Sequence, residues 1–393
     1  MKIVDIREAT VPIGSPIRNA DIAFDTMTAS ALAVMTDIRR GGAPVVGLAF
    51  DSIGRYGHGA LLRERFIPRL LAAAPDDYLD DETGTIDPFK VWAIVMRNEK
   101  PGGHGERAGA VGLIDAAVWD LVAKLEERPL WAVLADRFGS GAGGGPPRVS
   151  VYAAGGHYRA GGDLDGLAVE IAGYRERGYR RVKIKIGGAP LDEDRRRIEA
   201  ALTIVGSGDE LAVDGNGSFD RDTAFAYADA LDPLGLAWLE EPVDPLDFTL
   251  HAELAAHTAT PIGTGENLFS AADTRNLMRH GGLRPDRDFI QLDISLSYGL
   301  VEYLRVLETG AQLGWARDRF LPHVGHLLAL SAAAGLGLAG CEAAPDPALP
   351  FGGFPDDVQV EDGRVRPSAR PGVGIEGKAN LYALFRDRLA LEA

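Results

Sequence analysis

The feature that most constrains this chain is a spacing. Between residues 148 and 342 short apolar runs recur: RVSVYAAG, VKIKIG, LAVDG, AWLEE, PIGTGE, FIQLD, RFLPH and LGLAGCE. Polar residues close most of them. Lys185, Asp214, Glu240, Glu266, Asp293, His323 and Glu342 follow one another at intervals of 29, 26, 26, 27, 30 and 19. So steady an interval marks a repeated supersecondary unit, here a strand followed by a helix. Eight such strands close into a barrel whose chemistry sits at the C-terminal strand ends. The short last interval predicts a truncated or displaced final helix. The fold class expected is therefore α/β, a (β/α)7β modified TIM barrel.

The rest of the chain reads as an α+β capping domain. Ile3, Val4 and Ile6 open a β-rich stretch, and the runs 31–38 and 44–50 flank Gly41-Gly42 as a hairpin would. Helical periodicity follows over 59–74 and 111–134. The segment GSGAGGGPP (139–147) is the clearest linker signal. It matches G-x-G-x-x-G at Gly139, Gly141 and Gly144, but it follows a helix and runs into Pro146-Pro147. A dinucleotide fingerprint must follow a strand and open a helix, so that reading is rejected. The expected divisions are a cap over 1–135, a linker over 136–147 and the barrel over 148–344. Residues 345–393 would end in a helix (NLYALFRDRLALEA) packed back on the cap.

Composition removes several function classes. A net charge of −16 argues against general binding to nucleic acid or an anionic membrane, which needs clustered positive charge. It also means that a site for an anionic substrate must supply its own cations. The single cysteine, Cys341, cannot form an intramolecular disulfide and suits a reducing compartment. Residues 1–13 lack a signal-peptide pattern, and the apolar stretch 327–341 is too short to span a bilayer and holds three glycines. A soluble, cytoplasmic protein is expected.

Asp214, Glu240 and Glu266 would end consecutive strands and converge on one mouth of the barrel. Carboxylates brought together repel unless a cation neutralises them. An all-oxygen set favours a hard ion such as Mg²⁺, with positions open to substrate oxygens. Lys183 and Lys185 stand at i and i+2 and share the inward face, while Val182, Ile184 and Ile186 face the covering helices. Repulsion and burial should lower a lysine pKa toward neutrality, making a general base. His323 ends the seventh run and Asp293 the sixth; a carboxylate beside an imidazole fixes its tautomer and raises its pKa. His326 is read as structural. Such a mouth suits proton abstraction α to a carboxylate. Histidine would then reprotonate the opposite face, giving racemisation, or protonate a β-hydroxyl, giving dehydration.

At these residues the chain resembles the enolase superfamily, in its mandelate racemase-like branch. The matching pieces are KIKIGG (183–188), VDGNG (213–217), WLEEP (238–242), GTGEN (263–267), QLDIS (291–295), PHVGH (322–326) and, in the cap, AVGLIDAAVWDLVAK (110–124). The resemblance implies Asp214, Glu240 and Glu266 as Mg²⁺ ligands, Lys185 as base, Lys183 as its neighbour and His323 with Asp293 as the acid/base dyad. It also implies a homo-oligomer. A closer resemblance, to the D-tartrate dehydratases, rests on SPIRNA (15–20), GRYG (54–57), NEKPGGHGER (98–107), YAAGG (152–156), LSYGL (296–300), GLGLAG (335–340) and FGGFPD (351–356). It implies substrate contacts from Asn19 and Lys100, Lys100 being a second cation for a dicarboxylate, and matches Glu342 to an acid at the eighth strand end; Glu342 and His157 join them as candidate substrate-binding residues. The chain departs from that pattern at Asp51, Ile53 and His157. The expected activity is Mg²⁺-dependent dehydration of a small hydroxy acid, D-tartrate first. Another sugar acid or hydroxydicarboxylate, a racemase or epimerase, and an inactive binding barrel are the alternatives.

Overall fold

The computed structural model describes the chain except residues 14, 16–17, 21, 52–54, 140–146, 160–163, 325–326, 346–349 and 392–393. Ile53, His326 and most of the glycine-rich linker lie outside the described residues.

Strands β1 (Ile3–Pro12), β2 (Thr28–Arg40) and β3 (Ala43–Phe50) form an antiparallel meander. Gly41 and Gly42 turn the expected hairpin with φ of +57° and +90°. Two successive positive φ values match the twist of the flanking strands, and glycine adopts them without steric cost. One face of this sheet, with Ala29, Ala31, Ala33, Leu48 and Phe50, packs on Leu381, Phe385 and Leu389. Leu381 and Phe385 belong to the Ala379–Arg388 helix. The other face meets the buried Glu106–Leu125 helix so closely that a Cβ on Gly47 would lie 2.1 Å from the Ala117 carbonyl oxygen.

The single helical stretch expected over 111–134 is two helices, Glu106–Leu125 and Leu130–Phe138. Pro129 explains the break, since it disfavours helical backbone in the residue before it. Glu127 there adopts a φ of +57°.

In the barrel, β4 (Val149–Gly155), β5 (Arg181–Lys185), β6 (Leu211–Asp214), β7 (Leu239–Glu240), β8 (Ile262–Thr264) and β9 (Phe289–Ile290) pair in parallel in chain order. The last strand, β10 (Cys341–Ala343), pairs with β4. Helices alternate with them, as the repeat requires. The run RFLPH, expected as a seventh strand, is not a regular one. The Leu321 N–H donates to the Ile290 carbonyl at 2.9 Å and the Ala339 N–H to the Phe320 carbonyl at 3.0 Å. The segment therefore fills the seventh position, while Pro322 has no N–H with which to extend a ladder. The following helix, Leu327–Leu336, leans on the Leu130–Phe138 helix: a Cβ on Gly335 would lie 2.5 Å from the Trp131 carbonyl oxygen. A small hairpin of β11 (Val360–Glu361) and β12 (Arg364–Val365) joins the start of β4 antiparallel. No helix among the described residues is long and apolar enough to cross a membrane.

Candidate active site

Strand register builds the centre of the mouth. Lys185 on β5 pairs with Asp214 on β6, and Asp214 pairs with Glu240 on β7. Side chains at equivalent positions of adjacent parallel strands point to the same side, so all three enter the barrel together. Glu266 follows β8 in the loop that begins at Gly265. One carboxylate oxygen each from Asp214, Glu240 and Glu266 lies within 4.8 Å of the others, the geometry a shared hard cation needs. These are the residues that would hold Mg²⁺.

The lysines lie against this cluster. Lys185 Nζ donates to Asp214 Oδ2 at 2.5 Å. Lys183 is paired with Glu240 and lies 3.3 Å from Asp214 Oδ2 and 3.5 Å from Glu342 Oε1. Val182, Ile184 and Ile186 are fully buried in the core outside the strand, as the alternation requires. The expected lowering of the lysine pKa is reversed. Burial disfavours the Lys185 charge, but Asp214, helped by Glu266 and Glu240, outweighs burial and the repulsion of Lys183, and the pKa rises. Asp214 shifts the other way: burial would raise its pKa, yet the two lysines hold it below the ordinary carboxylate range. Glu240 is pushed up to about 7, because its burial outweighs the attraction of Lys183.

Across the mouth, His323 Nδ1 is 3.0 Å from Asp293 Oδ2, and its Nε2 is 3.2 Å from Glu266 Oε2. Burial opposes the imidazolium, but Glu266, Asp293 and Glu342 prevail and raise the His323 pKa to about 10. A histidine held in this way carries a proton at neutral pH, the state that a proton donor needs.

The other expected residues divide. Glu342 is buried and accepts from the Val324 N–H at 3.1 Å and the Tyr152 hydroxyl at 3.4 Å; it serves Lys183 from the far side. His157 follows β4, and burial together with the charge of Lys185 lowers its pKa to about 3, so it stays neutral. Asn19 is buried in a loop fastened beside it: the Tyr158 N–H donates to the Arg18 carbonyl at 3.0 Å, and Phe24 meets the His157 ring edge-on. Lys100 does not join them. Its side chain is exposed, and Arg107 fixes its loop by donating to the Lys100 and Gly102 carbonyls at 2.8 and 2.6 Å.

Four contributors were not anticipated. Trp238 Nε1 and Gln291 Nε2 each donate to Glu240 Oε2 at 2.7 Å, fixing that carboxylate. Tyr152 sets its ring 5.8 Å from Lys183 Nζ. Glu241, at a φ of +37°, is buried and accepts both bonds from Asn267 Nδ2 at 2.9 Å. Trp238 and Gln291 stand two positions before Glu240 and Asp293, so the strand period of two was the signal that could have found them.

The family model for enolase C-terminal domain-like proteins matches residues 166–380, more than half of the chain. The chain belongs to the enolase superfamily. The L-talarate/galactarate dehydratase of Salmonella typhimurium is 28% identical over 381 residues, covering 95% of this chain and 87% of that protein. A structure of that Salmonella enzyme, liganded with Mg and L-lyxarohydroxamate, aligns with a TM-score of 0.75 at 27% identity, covering 94% of this chain and 88% of that one. A racemase from Streptomyces coelicolor with bound magnesium aligns at 0.78, covering 98% and 99%; at 23% identity it speaks for the fold alone. The enolase-superfamily assignment agrees with the barrel, the cap and the carboxylate cluster alike.

Proposed function

We propose that the protein is a Mg²⁺-dependent dehydratase of a sugar acid. The observation that carries this is the disposition of two proton-transfer groups on one cluster: Lys185 against Asp214, and His323 against Glu266. Bound to Asp214, Glu240 and Glu266, Mg²⁺ would draw on the carboxylate charge that now raises Lys185 and would polarise the substrate carboxylate. The residues then divide the work. Lys185 takes the proton from the carbon bearing the carboxylate. His323, kept protonated and oriented by Asp293, gives its proton to the β-hydroxyl as the C–O bond breaks, and water leaves. The enol left behind takes up a proton and becomes a 3-deoxy-2-keto acid. Neutral His157 suits hydrogen bonding to hydroxyls rather than pairing with a charge.

The Salmonella relative supports a polyhydroxy acid as substrate, by its name a six-carbon diacid. D-tartrate, the narrower expectation, gains no such support, and the lysine meant for its second carboxylate is exposed. The test is a panel of aldarates, aldonates and tartrate isomers incubated with Mg²⁺ and scored for 2-keto acid. Keto acid from a sugar acid, abolished in Lys185→Ala, is the result expected. Deuterium wash-in without keto acid would instead make the protein a racemase or epimerase. Binding without either would overturn catalysis altogether.

A further inference from the structure

The segment NEKPGGHGER, expected to meet substrate through Lys100, does something else. Its Glu99 carboxylate, almost fully buried, gathers Arg65 at 2.6 Å, Arg69 at 3.0 Å and Arg107 at 3.5 Å. Arg107 fixes the glycine-rich turn through two backbone carbonyls and then reaches across to the barrel, where its Nε donates to the Tyr298 hydroxyl at 2.9 Å. His104 Nδ1 lies 3.0 Å from the same hydroxyl. A phenol has one hydrogen to give and lone pairs to accept with, so it can accept from Arg107 and share a second hydrogen bond with His104 Nδ1.

Tyr298 is unusual in its backbone. It is buried and stands at a φ of +62°, a conformation that a bulky side chain rarely adopts. Cap atoms hold all its polar groups: the hydroxyl as above, the N–H by the Ala108 carbonyl at 3.3 Å and the carbonyl by Trp92 Nε1 at 3.0 Å. Residues beside it are seated on the same helix. A Cβ on Gly112 would lie 1.9 Å from the Ser295 carbonyl oxygen, and Asp115 Oδ2 accepts from the Leu300 N–H at 2.5 Å. The turn between them begins at Asp293. Asp293 Oδ1 accepts from the Leu296 N–H at 3.1 Å, its carbonyl accepts from the Ser297 N–H at 3.1 Å, and its Oδ2 meets His323. A strained residue persists only where its surroundings over-determine it, and here the surroundings are the cap.

We propose that Tyr298, clamped by Arg107 and His104, is a positioning residue through which the cap sets the turn that aims Asp293 at His323. The inference rests on the dehydratase reading for the role of His323, but the clamp itself is a matter of geometry. A misaimed dyad leaves Lys185 untouched, so proton removal continues while elimination stalls.

Tyr298→Phe deletes both hydroxyl bonds and keeps the ring. With a sugar acid that the unaltered protein dehydrates, in D₂O and Mg²⁺, kcat for keto acid should fall about ten- to a hundredfold, the loss expected of a group misplaced by about an ångström. KM should move far less, and recovered substrate should gain deuterium at the α-carbon. Amide hydrogen exchange in the peptide spanning 293–299 should quicken, while the β5–β6 peptides keep their protection. Unchanged kcat and exchange in Tyr298→Phe would overturn the proposal, as would equal loss of wash-in and keto acid. Should Tyr298→Phe fail to fold, His104→Gln, which removes the ring nitrogen beside the hydroxyl, is expected to show the same split in milder form, and its absence there overturns the proposal. Asp293→Asn tests the underlying reading separately. If it dehydrates normally while the 293–299 peptide of Tyr298→Phe still loosens, the clamp stands and the assignment of the dyad falls.

Discussion

Replacing Lys183 by methionine should expose how the barrel mouth balances its charge. Lys183 is buried, paired with Glu240 and within 3.3 and 3.5 Å of Asp214 and Glu342. At an effective dielectric of about 20, each of the two longer approaches is worth about 5 kcal/mol of gross attraction. Desolvation of the ammonium cancels much of that sum. Removing one partner of a buried pair nonetheless costs about 3–5 kcal/mol, because the carboxylates left behind stay out of water. Methionine matches the lysine stem in shape, so the loss should be electrostatic rather than a cavity effect. In EDTA, urea unfolding followed by circular dichroism should therefore show a variant less stable by about 3–5 kcal/mol. A divalent ion on the same carboxylates should do part of the missing work. Mg²⁺ at a hundredfold excess over its dissociation constant adds about 2.7 kcal/mol to any protein that binds it only when folded. The variant, having lost its internal counter-ion, should gain more than the parent, and the gap should narrow to less than half. A loss under about 1 kcal/mol in EDTA, or a gap indifferent to Mg²⁺, would refute the view that lysine and metal compensate one set of carboxylates.

Other perturbations test the support of the site. Asp194 is buried and accepts from the Tyr158 hydroxyl at 2.6 Å, the Tyr227 hydroxyl at 2.8 Å and the Gly187 N–H at 2.7 Å. Asp194→Ala strands three donors at about 1–3 kcal/mol each, so urea unfolding should show a loss of roughly 3 kcal/mol or more. It should also slow turnover, since Gly187 stands two residues beyond Lys185. Gly47→Ala puts a methyl against the Ala117 carbonyl and should cost about 3 kcal/mol in the same assay, because sheet and helix must part. His58 lies between Asp51 at 2.8 Å and Glu106 at 2.9 Å. Burial opposes its charge, but the two acids raise its pKa to about 9 from the ordinary 6.5. A folded pKa above the unfolded one stabilises fully below pH 6.5, and that share is lost as pH rises through 9. The shift corresponds to a contribution on the order of 3 kcal/mol. Unfolding measured from pH 6 to 9.5 should therefore fall more steeply for the parent than for His58→Gln.

What the sequence disclosed, and what it withheld, follows from the range of the interactions. Strand-end residues were legible because register repeats them: Asp214, Glu240 and Glu266 announce themselves by interval and meet within 4.8 Å. The Gly41-Gly42 hairpin was legible because its turn chemistry is local. The Asp362-Gly363 turn, with φ of +53° and +70°, carries a similar local signal, set beside a proline-rich stretch that blurs it. Pro322 forbids a regular seventh strand, a constraint visible in the run RFLPH but outvoted there by the interval. The sign of the lysine pKa depends on how many carboxylates crowd each ammonium, which no spacing reveals. Lys100 failed for a related reason, since Arg107 and Glu99 decide where its loop lies.

The packing of the last helix on the first sheet has a consequence for synthesis. Ala29, Ala31, Ala33, Leu48 and Phe50 are covered by Leu381, Phe385 and Leu389, residues made more than three hundred positions later. On the ribosome the early meander therefore waits with one apolar face bare while the whole barrel is translated. Its closure is among the most non-local contacts in the chain, and non-local closure is slow. Truncation before Leu381 should accordingly yield a chain that sticks to its neighbours through residues 29–50, although most of its barrel has been made.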